Sequence, residues 1–195
     1  MREYLPNMLR AIGIFISVTV PFYVLSAYFK TYTVHTLGHT NYEASLLNTI
    51  DMFILLAVIP VSGWLSDLYG RRRVLMCAAT GFLLLALPIF SFLQPGPLLP
   101  IALAQFAFSV LVGFYMSPVA ALFVEAFPTR VRYTGMSLAY NLCAAIFGGT
   151  APMVSEFLVH STGGNRAIAG YVMLCAAIAL VSLYFYKDRY KEPLA

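Results

Sequence analysis

The sequence predicts an all-α integral membrane protein with six transmembrane helices. Of its 195 residues, 61% are hydrophobic and only 10% are charged, whereas an ordinary soluble domain has about 45–50% apolar and about 25% charged residues. So few charged groups leave too little polar surface to cover a water-soluble globule. The chain also contains six largely apolar runs of about the 20 residues that a helix needs to cross a bilayer. A soluble enzyme and a disordered chain are therefore disfavoured.

The six apolar runs lie between charged or turn-forming segments. They comprise residues 11–29, 44–66, 74–93, 98–125, 134–158 and 167–186. Helices are expected because each unpaired backbone group in lipid costs several kcal/mol. None of the runs alternates with the two-residue period of a barrel strand. We therefore expect a single six-helix transmembrane domain over residues 1–195, with the lipid bilayer around it.

The distribution of basic residues predicts the orientation of the chain. With six spans, both termini share a side with the second–third and fourth–fifth connections. That side carries ten of the twelve Lys and Arg residues, and the other side carries only Lys30 and Arg166. Basic residues accumulate on the cytoplasmic side, so both termini are expected in the cytoplasm, beneath an inner (plasma) membrane. The same bias explains the net charge of +4 without a nucleic-acid partner.

The connection between the second and third spans combines glycines, an acid and a run of arginines. These residues are Gly63, Asp67, Gly70, Arg71, Arg72 and Arg73. A glycine near a helix end lets another backbone approach closely, and a carboxylate can accept hydrogen bonds at a helix N-terminus. Taken alone, the arginines could equally be positive-inside anchors. The combination predicts a cytoplasmic gate in which basic side chains face a neighbouring acid.

The connection between the fourth and fifth spans carries a second group of charges. Pro128 ends the fourth helix, and Glu125, Arg130 and Arg132 lie around it on the same predicted rim. In one interpretation these charges belong to a solvated loop, where each loose pair contributes about 0–1 kcal/mol. In the other they belong to the gate, as a salt-bridge cluster that forms when the cytoplasmic ends close.

Both connections resemble motifs of known transporters. The sequence G-x-L-S-D-x-x-G-R-R-R at residues 63–73 resembles the cytoplasmic loop signature of the major facilitator superfamily. The run E-x-F-P-x-R-x-R-x-T-G at residues 125–135, continued by F-G-G-T-A-P at residues 147–152, looks like the metabolite:proton symporter family within it. The aromatic first span is similar to the seventh helix of that family. The resemblance implies the C-terminal half of a twelve-helix fold, built from two inverted three-helix repeats.

The resemblance also implies a function in secondary active transport. Members of the family carry proline, betaine, α-ketoglutarate, shikimate or citrate, so we expect proton symport of a small polar organic metabolite. The implied partners are the solute, protons, and either a missing N-terminal six-helix half or a second copy of the chain. The alternative is a non-transporting membrane subunit, or a truncated remnant. The sequence contains no nucleophile–base arrangement and no phosphate loop, so we expect no enzyme, no cofactor and no metal site.

Polar side chains within the spans are candidates for the substrate and proton path, because such groups are costly in lipid and usually face protein or water. The candidates are Tyr23, Tyr28, Asn48, Asp51, Gln105, Tyr115 and Asn141. Asp51 lies about 10 Å below the outer end of its helix, with Asn48 on the same face. Asp51 is expected either to line the path and titrate, or to be wetted by headgroup water. For each candidate, a helix–helix hydrogen bond is the alternative.

Small residues in the fifth span predict close helix packing and a bend. Gly148 and Gly149 follow Ala144 and Ala145 at a spacing of four, which allows helices to approach closely. Pro152 comes soon after them and cannot continue a regular helix without losing a hydrogen bond. We therefore expect Gly148, Gly149 and Pro152 to form a packing and hinge point.

Overall fold

The computed structural model describes residues 5–126 and 132–186, and the side chains of residues 9–124 and 133–186. The described ranges contain α-helices, two π-helical turns and no strand. In chain order these are α1 (Leu5–Tyr23), the first π turn (Val24–Tyr28), α2 (Phe29–His35), α3 (Asn41–Tyr69), α4 (Arg71–Ser91), α5 (Leu98–Ala126), α6 (Arg132–Cys143), the second π turn (Ala144–Gly148), α7 (Ala151–Thr162) and α8 (Arg166–Tyr184).

Six helical segments of the described residues are long and apolar enough to cross a membrane. Spans 1 to 6 are Leu9–His35, Asn41–Tyr69, Arg71–Ser91, Leu98–Val124, Tyr133–Thr162 and Arg166–Tyr184. The predicted six-helix membrane fold is confirmed. Span 1 continues beyond Lys30, where the apolar run ends, because a long basic side chain can reach the headgroups without interrupting the helix.

Side-chain caps and glycines set the ends of the spans. The hydroxyl of Thr40 accepts a hydrogen bond from the backbone N–H of Glu43, and the Glu43 carboxylate accepts one from the backbone N–H of Thr40. This capping box begins α3. Gly70 separates α3 from α4 with φ +98°, and Gly163 ends α7 with φ +71°. Both angles lie in the left-handed region that favours glycine.

Asn165 joins the C-terminal end of α4 to the start of α8. Its Nδ2 donates to the carbonyl oxygen of Phe90 at 2.5 Å and to that of Leu93 at 2.6 Å. The last carbonyls of a helix have no partner within the helix. Because Asn165 is itself buried, one amide group gives short hydrogen bonds to two carbonyls that few water molecules can reach. Each carbonyl also has a longer contact, from the Leu93 N–H at 3.2 Å for Phe90 and from the Tyr32 hydroxyl at 3.4 Å for Leu93.

The packing of the spans follows an internal two-fold pattern. Span 4, in the second half of the chain, contacts spans 2 and 3. In the same way, span 1 contacts spans 5 and 6. Each span therefore corresponds to the one three places later in the chain. Because three crossings separate the two members of such a pair, they run in opposite directions. The arrangement is that of two inverted three-helix units, as expected.

An aromatic cluster holds the centre of the bundle. The ring of Phe108 on α5 lies 5.3 Å from that of Phe29, 5.7 Å from that of Phe82 and 5.7 Å from that of Phe90, measured between centroids. Tilted and edge-to-face contacts of this kind are favourable beyond the area they bury. The cluster joins spans 1, 3 and 4. By contrast, spans 2 and 5 are the least buried. In each of them 22% of the 18 most apolar consecutive residues are buried, against 67% in span 1.

Candidate functional site

A cavity of about 640 Å³ lies between spans 1, 4 and 5. Its wall is mostly aromatic and aliphatic, with ring surface from Phe15, Phe22, Tyr23, Phe123 and Tyr140. The polar groups on the wall belong to Thr19, Ser137, Asn141 and the two tyrosines, and no charged side chain is among the described residues that line it. A volume of this size and a wall with few polar groups are typical of sites for small organic molecules.

Two π turns border the cavity, one in span 1 and one in span 5. In each, the hydrogen bonds widen from the i+4 to the i+5 pattern over five residues, a local distortion that occurs frequently at functional sites. Tyr23, on the cavity wall, directly precedes the first π turn, and Ala144, also on the wall, begins the second. The helix backbone is thus irregular where it faces the cavity.

Gly148 brings span 5 into close contact with span 1. A Cβ atom at this position would lie 2.7 Å from Cγ2 of Thr19 and 2.7 Å from the ring of Tyr23. Beyond it, the chain turns at Gly149 and restarts as α7, with Pro152 in the first turn. The helix is interrupted where the sequence predicts a bend, while the hinge role of these residues stays a prediction.

Two of the predicted gate residues, Asp67 and Arg71, meet at the connection between α3 and α4. Arg71 forms an ion pair with Asp67 and also donates to the hydroxyl of Ser66 at 2.7 Å. Gly70 makes the turn that allows this contact. Gly63 faces span 4, where a Cβ atom would lie 2.8 Å from the hydroxyl oxygen of Ser117.

The other predicted gate residues are placed differently. Arg72 donates to the carbonyl oxygen of Tyr184 at 3.0 Å and so connects span 3 to span 6. Arg73 is exposed. Arg130 lies outside the described residues, and Glu125 and Arg132 are described by their backbone alone, near the end of α5 and at the start of α6.

Two of the predicted path residues belong to a buried polar cluster formed by Thr33, Asp51, Gln105 and Ser109. All four residues are buried. The hydroxyl of Ser109 lies 2.6 Å from Oδ1 of Asp51, and Nε2 of Gln105 donates to the hydroxyl of Thr33 at 3.0 Å. Sequence reasoning missed Thr33 and Ser109. Ser109 could have been found, because it follows Gln105 by four residues and so lies on the same helix face.

Of the five remaining path candidates, two line the cavity and three do not. Tyr23 and Asn141 line the cavity, as expected of residues on a solute path. Tyr115 is fully buried and donates to the carbonyl oxygen of Ile14 at 2.9 Å. It therefore makes a hydrogen bond between two helices, the alternative to a place on the solute path. Tyr28 is buried and stacks on a neighbouring tyrosine ring, and Asn48 is half-buried on α3.

Among the described residues, no group of three or more His, Cys, Asp or Glu side chains is placed to hold a metal ion. His39 instead lies 3.5 Å from the carboxylate of Glu43. Cys77, Cys143 and Cys175 are free thiols.

Residues 11–195 match the sequence profile of the Major Facilitator Superfamily. The chain belongs to this superfamily. A match over nearly the whole chain agrees with the two loop motifs and with the inverted three-helix units. The protein is therefore a multi-pass membrane protein of a transporter superfamily.

Similar proteins within the superfamily include transporters of organic solutes. The chain is 36% identical to the α-ketoglutarate permease of Escherichia coli (strain K12), over 85% of this chain and 39% of the relative. It is 28% identical to the ectoine/proline transporter of Corynebacterium glutamicum, over 100% of this chain and 38% of the relative. It is 33% identical to the citrate-proton symporter of Klebsiella pneumoniae, over 87% of this chain and 38% of the relative. The resemblance to these transporters is confirmed, and the chain spans less than two fifths of their length.

Proposed function

We propose that this member of the superfamily forms one wall of a secondary active transporter, which carries a small polar organic metabolite across the inner membrane by proton symport. The observation that carries the proposal is the cavity between spans 1, 4 and 5, with its uncharged wall and bordering π turns. Cavities near irregular helix segments are where transporters with inverted repeats bind their solutes. The names of the relatives support solute transport in general and, for one of them, proton coupling.

The cavity wall suggests which parts of a solute it contacts. Ring faces attract methylated or other weakly hydrated cations, while the Asn141 amide and the Ser137 hydroxyl can hydrogen-bond a polar group;. The described wall offers no basic side chain to a carboxylate. A carboxylate group of the solute would therefore be neutralised by residues outside this wall.

A second helical bundle is proposed to complete the path. Spans 2 and 5 are the least buried, so their open faces are available to another bundle as well as to lipid. Either an N-terminal six-helix half or a second copy of the chain could supply it. In this assembly the Asp67–Arg71 connection and both termini face the cytoplasm, in keeping with the excess of basic residues there;.

Uptake into proteoliposomes tests the proposed function. The chain is reconstituted alone and together with a candidate N-terminal bundle, and uptake of labelled proline, glycine betaine, α-ketoglutarate and citrate is measured with and without an imposed proton gradient. Gradient-dependent uptake of one solute supports the proposal. No uptake in any combination favours the non-transporting subunit or remnant.

Changing the cavity wall is expected to weaken solute binding. For Tyr23→Leu and Asn141→Leu we expect a rise of about tenfold in KM, which corresponds to a loss of about 1.4 kcal/mol. The matched control is Tyr42→Leu, because Tyr42 is 76% exposed at the start of α3 and lies outside the cavity. Equal KM values for the control and both cavity variants would remove the cavity from the solute path.

Breaking the Asp67–Arg71 ion pair is expected to impair transport while leaving stability unchanged. The Asp67 side chain is 64% exposed, so the pair contributes about 0–1 kcal/mol, and membrane insertion should stay normal. Asp67→Asn and Arg71→Ala are each expected to reduce uptake several-fold, because the cytoplasmic ends close less completely. The charge-exchanged double variant Asp67→Arg with Arg71→Asp should recover part of the uptake. Normal uptake in both single variants would contradict the gate assignment.

A further inference from the structure

Asp51 is buried in the bundle without a cationic partner. Its side chain is inaccessible to solvent, so headgroup water does not wet it, and that alternative expectation was wrong. Removing an ionised carboxylate from water costs several kcal/mol unless a cation compensates. A buried acid with no such partner avoids this cost by binding a proton.

The elements packed against α3 offer no counter-charge to Asp51. These elements are the first π turn, α2, α4 and α5. Among the described residues, none of their titratable or charged groups forms an ion pair or a hydrogen bond with Asp51. These groups are Tyr28, Lys30, Tyr32, His35, Arg71, Arg72, Arg73, Cys77 and Tyr115.

The hydrogen bonds around Ser109 fit the neutral form of Asp51. The Ser109 hydroxyl lies 2.6 Å from Oδ1 of Asp51 and 2.9 Å from the backbone carbonyl oxygen of Gln105. A hydroxyl carries one proton, so it can donate to only one of these two acceptors. If Asp51 is ionised, Ser109 donates to it and has no proton left for the carbonyl. If Asp51 is protonated on Oδ1, it donates to Ser109, which donates to the carbonyl, and both contacts become hydrogen bonds.

The second oxygen of Asp51 points to the same protonation state. Oδ2 of Asp51 is buried and has no hydrogen-bond partner. The same is true of Oδ1 of Asn48, one turn earlier on α3. In a carboxylate, Oδ2 would carry half of a negative charge, and leaving it unpaired would be costly. In the protonated acid it is a neutral carbonyl oxygen, for which the cost is smaller.

The cluster around Asp51 connects three spans and lies apart from the cavity. Ser109 and Gln105 belong to span 4, Asp51 to span 2, and Thr33, which accepts from the Gln105 amide, to span 1. None of the four lines the cavity between spans 1, 4 and 5. A proton bound here therefore does not meet a solute bound there, and any effect between them passes through helix packing.

We infer that Asp51, Ser109, Gln105 and Thr33 form a proton-binding site remote from the cavity, occupied by a proton on Asp51 in the conformation described here. When Asp51 releases its proton to water, a carboxyl group becomes a carboxylate, which must be hydrated. Hydration requires span 2 to separate from span 4, so the bound proton favours the packed arrangement by its differential affinity for the two states. The role in transport rests on the proposed function, whereas the occupancy of the site does not.

Infrared difference spectroscopy of the purified 195-residue chain in lipid nanodiscs tests the occupancy directly. Exposed carboxyls are ionised at neutral pH, so a carbonyl stretch from a protonated carboxylic acid at that pH reports a buried acid. We expect this band in the unmodified chain and in Asp67→Asn, the matched control, and we expect it to be absent in Asp51→Asn. Asparagine resembles the protonated acid in shape and charge, so this variant should fold. A chain without the band, or a band that survives in Asp51→Asn, overturns the inference.

The hydroxyl of Ser109 provides a second readout. Ser109→Ala removes the hydrogen-bond partner of the acid, so the band should move to higher frequency, and Ser109→Thr should restore its position. An unmoved band in Ser109→Ala would overturn the assigned hydrogen bond. In the assembled transporter, uptake by Asp51→Asn should lose its dependence on pH. An unchanged pH profile would overturn the coupling role. A complete absence of uptake in the unmodified protein would reject the proposed function, and the infrared result would still decide whether the proton site exists.

Discussion

Replacing Gly148 with valine is expected to lower the free energy of unfolding by about 1–3 kcal/mol, the usual effect of overpacking a close-packed contact. Even a Cβ atom at this position would lie 2.7 Å from both Thr19 and Tyr23, so these side chains or the two helices must shift. Because Tyr23 also lines the cavity, the displaced ring should lower solute affinity as well. Denaturant unfolding in detergent micelles measures the first effect, and solute binding measures the second.

Gly170 provides the matched control for this substitution. It also lies within a span, but apart from the backbone of its own helix and its two chain neighbours no atom of the described residues is within 4 Å of the position that its Cβ would occupy. Gly170→Val should therefore have a much smaller effect on stability than Gly148→Val. Equal losses for the two variants would show that the cost comes from the helix and not from the contact between spans.

Asn165→Leu is expected to destabilise the bundle by about 2 kcal/mol, because it removes the two short buried hydrogen bonds to the carbonyls of Phe90 and Leu93 and each such bond contributes about 0.5–1.5 kcal/mol. The two carbonyls keep longer contacts, from the Leu93 N–H at 3.2 Å and from the Tyr32 hydroxyl at 3.4 Å. Leucine has nearly the same size, so the substitution creates little empty space. Thermal unfolding followed by circular dichroism measures the change.

Asn141→Leu is the control for the loss of an amide. Asn141 is exposed, and its Nδ2 donates only to Ser137 within the same helix. Its replacement should change stability by less than about 0.5 kcal/mol. If both asparagine variants unfold at the same temperature, the amide of Asn165 does not hold α4 and α8 together.

The six spans could be predicted from the sequence because lipid leaves the backbone few alternatives. An apolar run of sufficient length has to satisfy its own hydrogen bonds, so hydropathy identifies each span. The ends were less predictable. Span 1 continues to His35 and α3 begins at Asn41. Hydropathy misses both ends because neither the cap at Thr40 nor the continuation of the helix past Lys30 changes it.

The local part of the candidate site was predictable, and the part that joins different spans was not. Asp67 and Arg71 are four residues apart on adjoining helix ends, so their spacing predicts contact. The pairing of Asp51 with Ser109 depends on how span 2 is rotated against span 4, which spacing within one span does not determine. Depth along the helix left open whether Asp51 lines the path or is wetted by headgroup water, and the side chain is buried in the interior.

The two π turns could not be predicted from their residues. Gly148 and Gly149 predict a bend at the end of the second segment, Ala144–Gly148, and Pro21 lies three residues before the first, Val24–Tyr28. Neither feature predicts the i+5 hydrogen-bond pattern. The widened hydrogen bonding is local to the places where spans 1 and 5 pack against each other at the cavity, so it depends on tertiary contacts.

A π turn accommodates one residue more than an α-helix would over the same rise, and this has a consequence for comparing sequences in the superfamily. In an unbroken α-helix, one added residue would rotate everything beyond it by about 100°. The π turns at Val24–Tyr28 and Ala144–Gly148 absorb that rotation. A relative that is one residue shorter in either segment can therefore present the same helix faces on both sides of it. A single-residue gap at either place in an alignment then corresponds to a π turn in this chain and a regular α-helix in the relative.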